Sequence, residues 1–191
     1  MYRSVTTALA LAGVVALAGC SASGPVEPAA PAVNPVERGA YLVNAMGCND
    51  CHTPWRMGPD GPEPEMTRFL SGHPEGSVIT KPPAMSEQWN ASASADFTAW
   101  AGPWGMSFTA NLTPDQNTGL GIWTEEMFVT AIREGKHMGT SRPILPPMPW
   151  PAFRNLNDED LKALFAYLKT VPPIRNQVPD PLTPEQVAAL K

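Results

Sequence analysis

Apolar side chains recur at helical spacing in three stretches of this 191-residue chain. In the first, Tyr41, Leu42, Ala45 and Met46 fall on one face, behind Asn34 and Pro35, which suit a helix cap and the first helical position. The pattern predicts a helix over about 35–46, ended by Gly47, which can turn left-handed just ahead of Cys48. In the second, Met127, Phe128, Ala131 and Ile132 face inward. Glu125 and Glu126 follow Thr124 in the electropositive first turn, and Gly135 marks the stop. In the third, Leu161, Leu164, Phe165 and Leu168 follow Asn157, with Asp160 at the capping-box position. Pro172 and Pro173 bar that helix from running past about Thr170. The tail from Ile174 is expected to wrap the surface, with room for a short helix over 183–190.

From Pro54 to about Ile122 no period holds. Glycine, proline and tryptophan dominate there, and with 23 prolines in the chain much of this stretch is expected to be irregular. The N-terminus has a different pattern. Arg3 precedes an apolar run over 5–17 that is too short to span a bilayer comfortably, and Leu17-Ala18-Gly19-Cys20 follows. The small residues before Cys20 resemble a bacterial lipobox, so 1–19 reads as a lipoprotein signal peptide and Cys20 as the lipidated residue. Residues 20–35 are small and proline-rich, and at about 3 Å per residue they would form a spacer reaching roughly 45 Å from a membrane. A single domain is expected over 36–176, with 177–191 as tail. The chain is acidic, with formal charge −5. That argues against nucleic acid as a partner.

The chemistry is concentrated in Cys48-Asn49-Asp50-Cys51-His52. A C-x-x-C-H string is the attachment signature of a c-type haem: each thiol can add to one vinyl group, and the histidine lies beneath the iron. A thioredoxin-like pair needs a βαβ setting, and zinc needs two further ligands at tight spacing; neither is present in the pattern. Of three cysteines, two belong to this string, which leaves Cys20 for lipid. There is one such string, so one covalently attached haem c is expected. Its metal ligands would be His52 and, from the other side, Met148. Met148 sits in Leu145-Pro146-Pro147-Met148-Pro149-Trp150-Pro151, where the prolines limit the entropy lost in presenting a side chain. A thioether is a soft, neutral ligand that favours reduced iron. Met106, His73 and His137 are the rival ligands, and the two histidines are read as surface residues.

Together these segments resemble class I c-type cytochromes. The matching residues are Arg38-Gly39-Ala40-Tyr41-Leu42-Val43, CNDCHTP, Ala110-Asn111-Leu112-Thr113-Pro114-Asp115 with TGLGIWTEEMF, PPMPWPAF and DEDLKALFAYLK. The likeness covers about 36–176 and is strongest to cytochrome modules serving bacterial periplasmic dehydrogenases. It implies a mainly α fold of that class, with a long irregular Gly/Pro/Trp-rich insertion over about 55–108. That segment would fold over the haem domain, either as a docking face or as a plain cover. Gly39 and Tyr41 would meet Leu164 and Tyr167, and some acceptor near Ala110 would orient the His52 ring. The implied role is outer-sphere transfer of single electrons, with no catalytic residue. A dehydrogenase would stand upstream and an oxidase, a reductase or another cytochrome downstream, in the periplasm on a lipid anchor. A haem enzyme or gas sensor with an open distal site is the alternative, as is a relay subunit fixed inside a dehydrogenase.

Overall fold

The computed structural model describes residues 34–86 and 88–191. The signal peptide, Cys20 and nearly all of the linker lie outside the described residues. Helix α1 (Pro35–Ala45) starts where Asn34 Oδ1 accepts the Val36 amide at 2.9 Å, and Gly47 turns the chain at φ +68. Helix α2 (Cys48–His52) follows directly. Helix α3 (Glu125–Glu134) is capped by Thr124 Oγ1 on the Met127 amide at 3.1 Å and stopped by Gly135 at φ +65. Helix α5 (Asp158–Leu168) is capped by Asn157, and α6 (Pro184–Ala188) by a full capping box on Thr183. The short α4 (Trp150–Phe153), which the pattern had not indicated, opens just after Met148.

Helices α1 and α5 pack face to face. The approach depends on Gly39, where a Cβ would stand 2.0 Å from the Ala163 carbonyl oxygen and 2.7 Å from Tyr167 Cβ. The expected crossing is therefore present, with Ala163 rather than Leu164 opposite Gly39. Tyr41 lies outside it: its ring is exposed, with the Arg38 guanidinium 5.5 Å above. Arg38 closes the crossing by a bidentate pair with Asp160 (2.7 and 3.1 Å), which takes that carboxylate from the capping box. Leu42, Val43, Phe128, Ile132, Leu161, Leu164, Phe165 and Leu168 form the core between α1, α3 and α5, joined by Leu70, Leu120 and Val171. Each fully buried aliphatic contributes about 1.5–3 kcal/mol.

The mainly α expectation is corrected: the described fold mixes short helices with two small sheets. Strands β1 (Trp55–Gly58) and β2 (Gly61–Pro64) form a hairpin, and β3 (Ser92–Ala93), β4 (Ala99–Gly102) and β5 (Gly105–Phe108) form an antiparallel meander in that order. The apolar/polar pattern hid them because each strand is four residues or fewer, too short to show alternation. Nor is the tail only a surface wrap. Leu182 and Met106 exchange backbone hydrogen bonds at 2.9 Å each way, which adds the tail to β5, and Asn176 is buried.

Gly39→Ala is expected to force α1 off α5 and to lower stability by about 1–3 kcal/mol, the usual cost of overpacking. Denaturant unfolding of the two proteins reads the difference.

Candidate haem site

Gly47 lets the chain reverse between α1 and α2, which brings the C-x-x-C-H string against the core within one turn. Cys48 and Cys51 are half-buried and not bonded to each other. Burial pushes the Cys48 thiol up to about 11, and burial likewise raises Cys51, with Asp50 adding to both. A nucleophilic Cys-x-x-Cys pair needs the opposite shift. These are neutral thiols in an apolar setting.

His52 is buried, and burial holds its imidazole below the ordinary histidine range, which keeps it neutral. Its Nδ1 lies 2.8 Å from the Ala110 carbonyl oxygen. A carbonyl only accepts, so Nδ1 carries the proton and donates it, and Nε2 is left with a lone pair. The acceptor that the sequence left open is thus Ala110. Its loop is locked in turn. Asn111 Oδ1 accepts from the Thr113 amide (3.0 Å) and hydroxyl (2.7 Å), and Asn111 Nδ2 donates to Ile174 O (2.8 Å).

Met148 is half-buried and packs against the same apolar cluster as Cys48 and Met46. Its loop is anchored at both ends. The buried Ser107 hydroxyl donates to Pro146 O at 2.5 Å. The Trp150 ring lies on Gly135, where a Cβ would stand 2.3 Å from it. Met106 is buried in β5, away from that cluster, in the strand that pairs with Leu182. His137 is half-buried, edge-on to Trp123 with ring centroids 5.1 Å apart.

The surface reading of His73 is corrected: it is 4% exposed, with Nδ1 2.8 Å from Thr98 Oγ1 and its ring 4.8 Å from Phe108. It sits in the segment 70–73, which the sequence left in an irregular cover. Leu70 is instead a core residue, its amide donating to Thr53 Oγ1 at 3.0 Å. Residues 70–73 are therefore packed against His52 and the 109–112 loop rather than lying in an outer cover.

These residues fit a covalently held haem: two neutral thiols on one short helix, a neutral imidazole with its free nitrogen opposite the oriented one, and a methionine on the same apolar wall. No protein-family model matches the chain. The fructose dehydrogenase cytochrome subunit of Gluconobacter japonicus is 31% identical over 191 residues, covering 95% of this chain and 32% of that protein. The cytochrome c subunit of a quinone alcohol dehydrogenase from Gluconobacter oxydans is 36% identical over 149 residues, 76% of this chain and 24% of its own. A protein named diheme cytochrome c-type from Cereibacter sphaeroides is 29% identical over 177 residues, 91% of this chain and 50% of its own. The chain is a c-type cytochrome module. It spans half or less of the length of these relatives.

Sequence reasoning singled out Cys48, Cys51, His52 and Met148, of which Cys48 and Met148 pack on one apolar cluster. It missed Ser107, Gly72 and Asn176, which hold the neighbouring loops, because a lone polar residue or glycine in an aperiodic stretch gives no signal.

Burial lowers the His73 pKa from 6.5, so below pH 6.5 the unfolded chain binds a proton that the folded one resists. Stability is therefore expected to fall as pH drops from about 6.5 toward the lowered folded value. Denaturation midpoints measured between those limits should fall less in His73→Asn than in wild type.

Proposed function

We propose that this cytochrome carries single electrons, with one haem c attached through Cys48 and Cys51 and ligated by His52 and Met148. The observation that supports this most is the His52 hydrogen bond to Ala110. It fixes the tautomer that leaves Nε2 available, on a helix whose thiols stand beside it. Bound there, a haem supplies a one-electron iron couple. The chain's own residues then orient and tune. Ala110 O makes the His52 ring a better donor, and the apolar cluster that holds Cys48 keeps water from one wall. Met148 offers a soft thioether on a loop pinned by Ser107 and Trp150. An electron carrier needs no acid, base or nucleophile. The helical part would take the class I cytochrome arrangement, with 36–176 as its domain and the strands over 55–108 as an addition to it.

The partners follow from what the relatives are named for. Each named dehydrogenase relative is the cytochrome subunit of its enzyme. We take a dehydrogenase as the upstream donor and an oxidase, a reductase or another cytochrome as the acceptor. The site of action would be the periplasm, with 1–19 removed as signal and Cys20 lipidated. No helix among the described residues is long and apolar enough to cross a membrane. The anchoring reading therefore rests on the sequence before Cys20 alone.

The oxidised absorption spectrum of the haem-loaded chain should show the weak near-infrared sulfur-to-iron band, lost in Met148→Ala. A band that survives the substitution moves the ligand to another methionine such as Met106. A wild type without it opens the distal side and favours a haem enzyme or sensor. For the anchor, Cys20→Ser should shift the protein from the membrane pellet to the soluble fraction. An unchanged pellet would refute lipidation.

A further inference from the structure

Residues 70–73 run beneath the loop that holds His52. The Gly72 amide donates to the carbonyl of His52 itself (2.8 Å), the His73 amide to Thr109 O (2.9 Å), and Leu112 N to Leu70 O (2.8 Å). Gly72 lies at φ +76, and a Cβ there would stand 2.4 Å from Thr109 O and 2.6 Å from the Ala110 carbonyl carbon and oxygen. The peptide bearing the acceptor for His52 Nδ1 thus rests directly on a segment that also binds the backbone of His52.

That segment does not hold itself. Leu70 sits at φ +59, a conformation that a branched side chain keeps only under surrounding contacts. Thr53 Oγ1 and the Leu112 amide hold Leu70 itself, and Asn176 holds the residues that follow it. Asn176 is 1% exposed, so water does not compete for its bonds. Its Nδ2 donates to Ser71 O (2.7 Å) and His73 O (2.8 Å), and its Oδ1 accepts from the Glu75 amide (2.8 Å) and Arg68 Nη2 (3.1 Å). One side chain brackets Gly72 on both sides.

We propose that Asn176, acting through the 70–73 turn, is a positioning residue that sets the strength of the hydrogen bond from His52 Nδ1 to Ala110 O. Through it, Asn176 sets how strongly the His52 ring donates to the iron. The inference rests on haem ligation by His52 and goes one step further. A strong bond gives the ring imidazolate character and favours oxidised iron; a loosened bond favours reduced iron.

The test uses the full chain matured with haem, comparing wild type with Asn176→Ala, Asn176→Asp and Gly72→Ala. Asn176→Asp keeps the shape but turns an acceptor toward two carbonyls. Gly72→Ala pushes on the Ala110 peptide directly, so the question stays answerable if Asn176→Ala fails to mature. The readouts are a potentiometric titration and the exchange rate of the His52 Nδ1 proton by NMR. At a fixed ambient potential the reduced-to-oxidised ratio is expected to rise about three- to tenfold, tenfold being about 59 mV for one electron. Proton exchange should speed about tenfold. Thr183→Ala, which removes the α6 cap, should lower the unfolding midpoint and move neither readout. Haem-loaded Asn176→Asp and Gly72→Ala that keep the wild-type potential and exchange rate would overturn the inference alone, leaving Asn176 a merely structural residue. A wild-type chain that takes up no haem would overturn the functional reading and this inference together.

Discussion

A buried neutral imidazole presents one chosen nitrogen in one orientation when the other is committed elsewhere, and in this chain the commitment is the 2.8 Å bond from His52 Nδ1 to the Ala110 carbonyl. Everything around the site serves that geometry. The bond spans 58 residues of sequence, so it exists only if α2 and the loop over 110–114 are each fixed independently. Helix α2 is fixed by Gly47 and by the packing of Cys48 on the core. The loop is fixed from above by Asn111 and Thr113, which bind the chain leaving α5, and from below by the 70–73 turn. Neutral histidine, neutral thiols and an apolar wall are one electrostatic choice: burial disfavours the charged form of each group and, at His52, outweighs the Ala110 carbonyl that favours it.

The legible parts of this molecule were those whose signal lies within a few residues. The three long helices were found to within a residue at their starts, because Asn34, Thr124 and Asn157 each cap through a local side-chain oxygen. The C-x-x-C-H string was readable for the same reason: its five residues lie together on one short helix. The small sheets were not. Their partners are near in sequence, but strands of four residues or fewer are too short to show alternation, and the β4–β5 register is set at the two-residue turn between Gly102 and Gly105. His73 was misplaced because a histidine's burial is decided by Thr98 and Phe108, at 25 and 35 residues' distance, not by its neighbours in sequence.

The same distinction changes how residues 55–108 should be regarded. As a sequence they resemble an insertion, rich in tryptophan and without period, that a helical domain could shed. In the fold they deliver Leu70 to the core, Gly72 to His52, Ser107 to the methionine loop and Met106 to the tail. Removing them would take away the support of both proposed ligands at once. An addition of this kind is retained where it positions chemistry, whatever else its exposed face does.

The two sides of the site are held by different physics. On the histidine side, directional hydrogen bonds between buried groups allow one geometry, and an error in any of them leaves an unsatisfied polar atom. On the methionine side, prolines restrict the unfolded loop, and Ser107, the Ile144 amide on Gly135 O and the Trp150–Gly135 contact hold it without a polar bond to Met148 itself. The histidine side is therefore the rigid reference and the methionine side the adjustable one. A thioether adds no charge and makes at most weak hydrogen bonds, so small movements of Met148 strand no buried polar group and, with Met148 as the proposed ligand, would alter ligand strength alone. In a carrier built this way, changes to the methionine loop would tune the potential most readily, and changes beneath His52 would carry a cost in folding as well.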